Sequence, residues 1–545
     1  MSEGIPLSAG RDGLAVRSAA SRGSVMTRGA HRFRESGEIP IRQVHWRIDA
    51  VVALASLSLA AGQFFMHRIM SAYDSGVYFG AATQFVSGHL PYRDFVFVQP
   101  PGVLALLSPF AIIGKATSTS FGFELARLFS SVWAAAVAVL VSRLLRPYGR
   151  ASSLLAGLAV ALSPVAAYEM TAVKLEVYCL SLSLLAALWV VTAEQREAPS
   201  AARRVRAAGL VIGVAGSVKL WAIFSFIALV VCVWGMGRAQ VLRFAGWAAA
   251  GFVLVAGPFF LLAPSEFIQQ VFIAQLFRRQ NALGPVSTLS RLTQMTGLKN
   301  TPFAPNTPEL LFLCGAVILV VVTALRVGGL GSLSDRFFLG ASALTVTALL
   351  SSREFYGYYG YFVVPLLVGL VVSSVSRICR SSSMKRHSHR SDSDKPRSSA
   401  NGPVLVGVAC LLLVGAGGFG VVNLTRGLTR PVQISLIDQY VPRGSCAIFD
   451  DAIEGVLSNR LVSTNPRCPV IVDAGGMSMV LDGKSPLKSA SLEHRWQEDF
   501  SRAHFVVLAG TRRLGVPWTP ALHSWFADRF HLTIDAGSFL IYQRD

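Results

Sequence analysis

The chain is 545 residues long, 52% hydrophobic and only 15% charged, with a formal net charge of +20. Its apolar stretches recur at the length needed to cross roughly 30 Å of hydrocarbon, which excludes an ordinary soluble enzyme. The cations sit between those stretches rather than in one patch, so they argue for membrane topology and against nucleic-acid binding.

In chain order, residues 1–45 are rich in Ser, Gly and Arg and read as a disordered cytoplasmic tail. A tail this long exceeds a signal-peptide n-region, so the first span is read as retained although "SLSLAAG" resembles a cleavage site. About eleven candidate spans follow, near 48–66, 103–114 with 123–145, 151–168, 172–193, 207–218 with 220–236, 241–263, 309–326, 336–351, 361–378 and 403–423. Residues 103–114 are too short to cross alone and read as a half-buried helix in the first outer loop. The 207–236 region is one long helix or two short ones, because Gly213, Gly216 and Lys219 interrupt it. No internal repeat shows in the hydrophobic pattern, which disfavours a duplicated transporter architecture.

Arg32, Arg34, Arg42 and Arg47, then Arg143, Arg146 and Arg150, Arg203, Arg204 and Arg206, Arg238 and Arg243, and the run "RICRSSSMKRHSHRSDSDKPR" fall alternately between spans. The positive-inside rule puts that side in the cytoplasm, with the N-terminus. The loop 264–308 breaks the pattern: it counts as external but carries Arg278, Arg279, Arg291 and Lys299. Either the topology slips there or these cations meet an anion. Residues 46–378 thus form a membrane module, 379–402 a basic cytoplasmic linker and 403–423 a last transmembrane helix.

Residues 424–545 change character. "CAIFDD", "CPVIVDAGG", "HFVVLAG" and "FHLTIDAGSFLIYQ" are short β-rich runs between helical stretches, so the tail reads as a small extracytoplasmic α/β domain. Gly475 and Gly476 follow a run read as a strand, without a phosphate-binding fingerprint. Cys446 and Cys468 are the cysteines of this domain and can pair in an oxidising compartment.

Ionisable groups at a membrane boundary are costly unless they pair or line an aqueous cavity, so they carry the functional reading. Four outer clusters qualify: Asp74 with Arg93 and Asp94; Glu169, Lys174 and Glu176; Lys219; and Arg353 with Glu354 before "FYGYYGYFVVP". The acid of "YDSGVYFGAATQFVSGHLPYRDFVFVQPPG", its G-x-x-PY-R-D-F pattern and its PPG resemble the first outer loop of the GT-C glycosyltransferases. The nearest branch is that of the lipid A aminoarabinose transferases and protein mannosyltransferases, and the resemblance runs to "YFVVP" near residue 365.

The resemblance implies a multi-pass α-helical membrane enzyme that takes a sugar from a polyprenyl-phosphate carrier to an acceptor hydroxyl on a glycan, lipid or protein. A lipid-linked donor also suits a chain that lacks a Rossmann-like domain, since nucleotide sugars are not available outside the cytoplasm. It implies Asp74 as general base, with helix N-capping as the rival role, and Glu176 as a second acid, with Glu169 as the rival position. The departure from the family is Ser75, where many members carry a paired acid that binds metal. No cofactor is firmly implied, and a divalent cation stays open. Lys219, Arg353, Arg278 and Arg279 are candidate ligands of the phosphate, Lys219 by its match to a family "G-x-x-K" setting. Asp94 either contacts sugar or holds Arg93 and the loop. Tyr356 and Tyr358 either stack on sugar or carrier, or belong to an interfacial aromatic belt. A transporter or flippase of a lipid-linked sugar in the plasma membrane is the alternative, with charges near the midplane as its mark.

Overall fold

The structure, a computed structural model, describes residues 41–66, 73–194, 197–276, 286–296, 304–352, 354–387, 433–481, 490–510 and 515–545. The described chain opens with α1 (Ile41–Met66) and a short loop helix, α2 (Tyr73–Val86). Then come α3 (Gly102–Ala116), α4 (Thr119–Leu144), α5 (Arg150–Ala161), α6 (Pro164–Glu169), α7 (Leu175–Ala193), α8 (Ala198–Val218), α9 (Ala222–Trp234) and α10 (Arg238–Leu262). The short helices α11 (Pro264–Phe267) and α12 (Ala274–Leu276) flank a π-helical turn, and α13 (Thr288–Met295), α14 (Thr307–Gly328), α15 (Leu333–Ser351) and α16 (Gly360–His387) follow. Among the described residues, seven helices are long and apolar enough to cross a membrane: α1, α4, α7, α10, α14, α15 and α16. The expected span at 403–423 and most of the 379–402 linker lie outside the described residues.

Local chemistry sets where helices stop. The stretch 151–168, read as one span, is two helices: Pro164 has no amide to continue α5, and Ser163 accepts from the Ala166 amide to start α6. Likewise 207–236 is two helices, and Lys219 closes α8 with extended backbone (φ −151°, ψ 129°). Between α8 and α10 the backbones touch: a Cβ on Gly209 would lie 3.0 Å from the Trp247 Cβ, and one on Gly251 3.0 Å from the Leu210 carbonyl carbon. Small residues allow that approach where no hydrophobic effect drives helices together. Leu254, Leu261 and Phe312 on α10 and α14 are each at least 70% exposed, an apolar face suited to hydrocarbon rather than water.

The C-terminal part holds α17 (Ile434–Tyr440), α18 (Ala452–Leu457), α19 (Ala474–Leu481), α20 (Ala490–Arg502) and α21 (Pro520–Ala527). Its strands β1 (Ala447–Phe449), β2 (Phe505–Ala509), β3 (Phe530–Asp535) and β4 (Phe539–Arg544) form one sheet in the order β1-β2-β4-β3. β1 is parallel to β2; the β2–β4 and β4–β3 pairs are antiparallel. Trp496, Phe500, Val506, Leu522 and Phe526 form a core against the sheet. "CPVIVDAGG" is not a strand. Ile471 and Val472 are buried, but Pro469 cannot donate to a ladder and Asp473 already leads into α19. Cys446 and Cys468 form a disulfide with Cα atoms 5.4 Å apart.

Candidate active site

Three helix ends converge on two lysine–carboxylate pairs. Asp74 is the second residue of α2, Lys174 is the extended residue before α7, Glu176 lies in the first turn of α7, and Lys219 ends α8. The Lys174 Nζ donates to Asp74 Oδ2 at 2.5 Å, across 100 residues of sequence. Lys219 Nζ donates to Glu176 Oε1. The lysines are buried, their side chains 3% and 9% exposed, so each charge is neutralised by its partner rather than by water. Lys219 therefore does not snorkel to an interface.

Aromatic rings join the two pairs. Lys174 Nζ sits 3.9 Å from the ring centre of Tyr358, and Lys219 Nζ 4.2 Å from that of Trp221 and 5.1 Å from that of Tyr359. Tyr358 and Tyr359 meet edge to face at 4.9 Å, Tyr359 meets Trp221 at 4.4 Å, and Tyr356 stacks on Tyr358 at 5.4 Å. The "FYGYYGY" run thus lines the charged cluster through Tyr358 and Tyr359.

Burial pushes the Asp74 carboxyl up, yet the Lys174 ammonium beside it and hydrogen bonds from Lys174 and Tyr358 outweigh that and hold it below the ordinary carboxylate value. Asp74 is therefore ionised at neutral pH. Among the described residues it accepts from these side chains and from no amide of its own helix. Glu169, at the end of α6, is fully buried, and neither carboxyl oxygen has a hydrogen-bond partner among the described residues. The same holds for Glu176 Oε2 and the Tyr361 hydroxyl.

The structure brings Asp74, Glu176, Lys219 and Tyr358 together and sets Tyr356 behind them. It does not bring in Arg93 and Asp94. These two form an exposed bidentate pair at 2.8 and 2.9 Å, and Asp94 also accepts from the Leu90 amide at 2.7 Å, clasping the loop in which Tyr92 takes a left-handed φ of 71°. Arg278, Arg279 and Arg353 lie outside the described residues. Arg291, the described cation of the anomalous loop, donates to the Leu349 carbonyl at 2.9 Å and also to the Ser352 carbonyl, which closes the end of α15. Lys174 is the residue whose role the sequence hides, because its partner is remote. Its visible signal was its place in the charged cluster with Glu169 and Glu176 beside an apolar run. Among the described residues no group of three or more His, Cys, Asp or Glu side chains is arranged to hold a metal ion.

No family model matches the chain, and no curated protein sequence matches it significantly. Solved structures do match. ArnT from Cupriavidus metallidurans in the apo state aligns with a TM-score of 0.57 at 13% identity, over 92% of this chain and 98% of that one. The structure of that protein bound to undecaprenyl phosphate gives a TM-score of 0.57 at 14% identity, over 92% and 97%. The archaeal oligosaccharyltransferase AglB from Archaeoglobus fulgidus, in complex with an inhibitory peptide and a dolichol-phosphate, gives 0.51 at 11% identity, over 92% of this chain and 74% of that one. The chain thus shares its fold with ArnT and AglB.

Proposed function

We propose that this chain is an integral-membrane glycosyltransferase that moves a sugar from a polyprenyl-phosphate carrier to an acceptor hydroxyl on the outer face of the plasma membrane. The observation that carries the reading is the pairing of Asp74 with Lys174 and of Glu176 with Lys219 at adjoining helix ends, under an aromatic wall, within a fold shared with a protein solved with undecaprenyl phosphate. The acceptor oxygen attacks the anomeric carbon, its proton passes to Asp74, and the bond from that carbon to the phosphate oxygen breaks with its electron pair leaving on the carrier phosphate. Lys174 and Lys219 are preorganised cations for the charge that grows on that phosphate, with Arg278, Arg279 and Arg353 as further candidates. Glu176 orients the acceptor or sugar and holds Lys219 in place.

The helix ends support this orientation. α8 carries Arg203, Arg204 and Arg206 in its N-terminal half and finishes at Lys219, and α16 starts beside Tyr358 and carries Arg377 and Arg380 toward its other end. The arginine ends belong to the cytoplasm by the positive-inside rule, which leaves the lysine–carboxylate cluster outside. The disulfide supports an extracytoplasmic position for the domain of residues 424–545, with residues 46–378 as the catalytic module. Location also argues against the flippase, which needs charges near the midplane.

The test is incubation of the purified protein with undecaprenyl-phosphate hexoses and pentoses and a mixed glycan, lipid and peptide acceptor pool. Release of undecaprenyl phosphate together with a glycosylated acceptor is expected. Movement of the intact lipid-linked sugar across a vesicle membrane, with no carrier phosphate released, overturns the transferase in favour of the flippase.

A further inference from the structure

Tyr73, the residue before Asp74, reaches away from the lysine cluster into the C-terminal domain. Its hydroxyl donates to Asp473 Oδ1 at 2.9 Å and accepts from the Gly475 amide at 2.7 Å. The same Asp473 oxygen accepts from the Gly476 amide at 2.8 Å, so one carboxylate oxygen gathers the tyrosine and the start of α19. The glycine pair makes room for this. A Cβ on Gly475 would stand 3.1 Å from the Tyr73 hydroxyl oxygen, and one on Gly476 would stand 2.6 Å from Asp473 Cγ. No phosphate fingerprint surrounds Gly475 and Gly476; closeness to Tyr73 is a physical reason for the first, and closeness to the Asp473 carboxylate for the second.

The contact continues along α2. A Cβ on Gly76 would come within 2.7 Å of the Ile453 Cα, and Gln84 Nε2 donates to the Leu461 carbonyl at 2.9 Å. Successive helix residues point about 100° apart. Tyr73 can therefore be held by the C-terminal domain while Asp74 is held by Lys174. The first turn of α2 is gripped from both sides.

We infer that Tyr73 is a positioning residue for Asp74, and that the clasp made by Asp473 and Gly475 makes the C-terminal domain a working part of the transfer site. The inference rests on reading Asp74 as the general base. A carboxylate must be placed to within about 1 Å to take a proton in the transition state, and displacement on that scale costs on the order of 10²-fold in rate. Tyr73→Phe removes one oxygen and keeps the ring, so it loosens the turn without emptying the seam.

The experiment uses the full-length protein, the undecaprenyl-phosphate hexose and pentose donors, and three variants: Tyr73→Phe, Asp473→Asn and the double. For Tyr73→Phe, kcat per folded molecule is expected to fall roughly 10- to 100-fold, with donor KM changed less than about threefold. The double variant is expected to fall no further than the worse single, because both changes break one contact. Hydrogen exchange, which needs no substrate, is expected to accelerate over residues 73–78 in Tyr73→Phe and to stay unchanged in α7. A purely structural role would lower the yield of folded protein and leave kcat per folded molecule at the parental level. Parental kcat with unchanged exchange in Tyr73→Phe, while Asp74→Asn is inactive, overturns the positioning role alone. Parental turnover by Asp74→Asn overturns the base on which it rests.

Discussion

Replacing Lys219 with methionine probes the buried pair most directly, and its outcome separates stability from chemistry. The Glu176 side chain is 1% exposed and its Oε2 atom has no hydrogen-bond partner among the described residues, so Lys219 is its one charged partner there. Lys219→Met therefore strands a buried carboxylate, and removing one member of a buried pair costs about 3–5 kcal/mol, a large share of the 5–15 kcal/mol typical of a folded protein. Replacing both members, Glu176→Gln with Lys219→Met, removes both charges and is expected to recover most of that loss, to within about 1 kcal/mol of the parent. Turnover behaves differently. If Lys219 meets the leaving phosphate, the single and double variants both lose on the order of 10²–10³ in kcat, the usual effect of deleting one preorganised electrostatic group. Thermal unfolding in detergent micelles reads the first quantity, and release of undecaprenyl phosphate per folded molecule reads the second. A single variant as stable as the parent refutes the buried ion pair. A double variant with parental turnover refutes the phosphate role and leaves Glu176–Lys219 as a structural clamp.

Asp74→Asn keeps the size of the side chain but takes up no proton, so transfer is expected to fall by about 10²–10⁴ with folding intact; near-parental rates would remove Asp74 from the mechanism. Because Lys174 and Tyr358 hold the Asp74 carboxyl low against the pull of burial, the acid limb of kcat/KM should lie below the ordinary carboxylate value of about 4, and Lys174→Met should move it to higher pH. A limb that does not move with Lys174→Met contradicts the pairing. In the C-terminal domain, Glu454 is buried, and burial first, then Asp451 and Asp450, push its carboxyl well above the usual range. Its folded form favours the proton, so its contribution to stability is present at low pH and is lost as pH rises; Glu454→Gln should raise the thermal midpoint at pH 7 more than at pH 5, and equal shifts would argue against a buried charge. In intact cells a membrane-impermeant maleimide should label Cys446 and Cys468 only after an impermeant reductant is added, and labelling that requires lysis would put the C-terminal domain in the cytoplasm.

Several features were legible because they are local. The interruption at Lys219, the β-rich character of the tail and the cysteine pair each follow from chemistry within a short window, whereas the break at Pro164 was read over as one continuous span. "CPVIVDAGG" misled for the complementary reason: its apolar alternation resembles a strand, and whether a run pairs depends on the neighbouring amides it can reach. Asp74, Glu176 and Lys219 stood out singly, since a charge beside an apolar run is costly wherever it ends up.

Partnership was decided only by the tertiary structure. Lys174 precedes Glu176 by two residues yet pairs with Asp74, and Glu176 pairs with Lys219 on another helix. Lys174 has extended backbone just before α7 while Glu176 lies in its first turn, and nothing in that short segment chooses the distant partner of either. Arg93 and Asp94 show the converse: they follow the expected base in the same quoted segment, yet they spend their charges on each other at the surface. The seam that holds Tyr73 joins residues about 400 apart. The sequence by itself determined which groups are too costly to leave unpaired in this chain, because desolvation depends on the composition around each one. Which groups satisfy them depends on how helix ends and the C-terminal domain come to rest against each other, a consequence of packing that no short window contains.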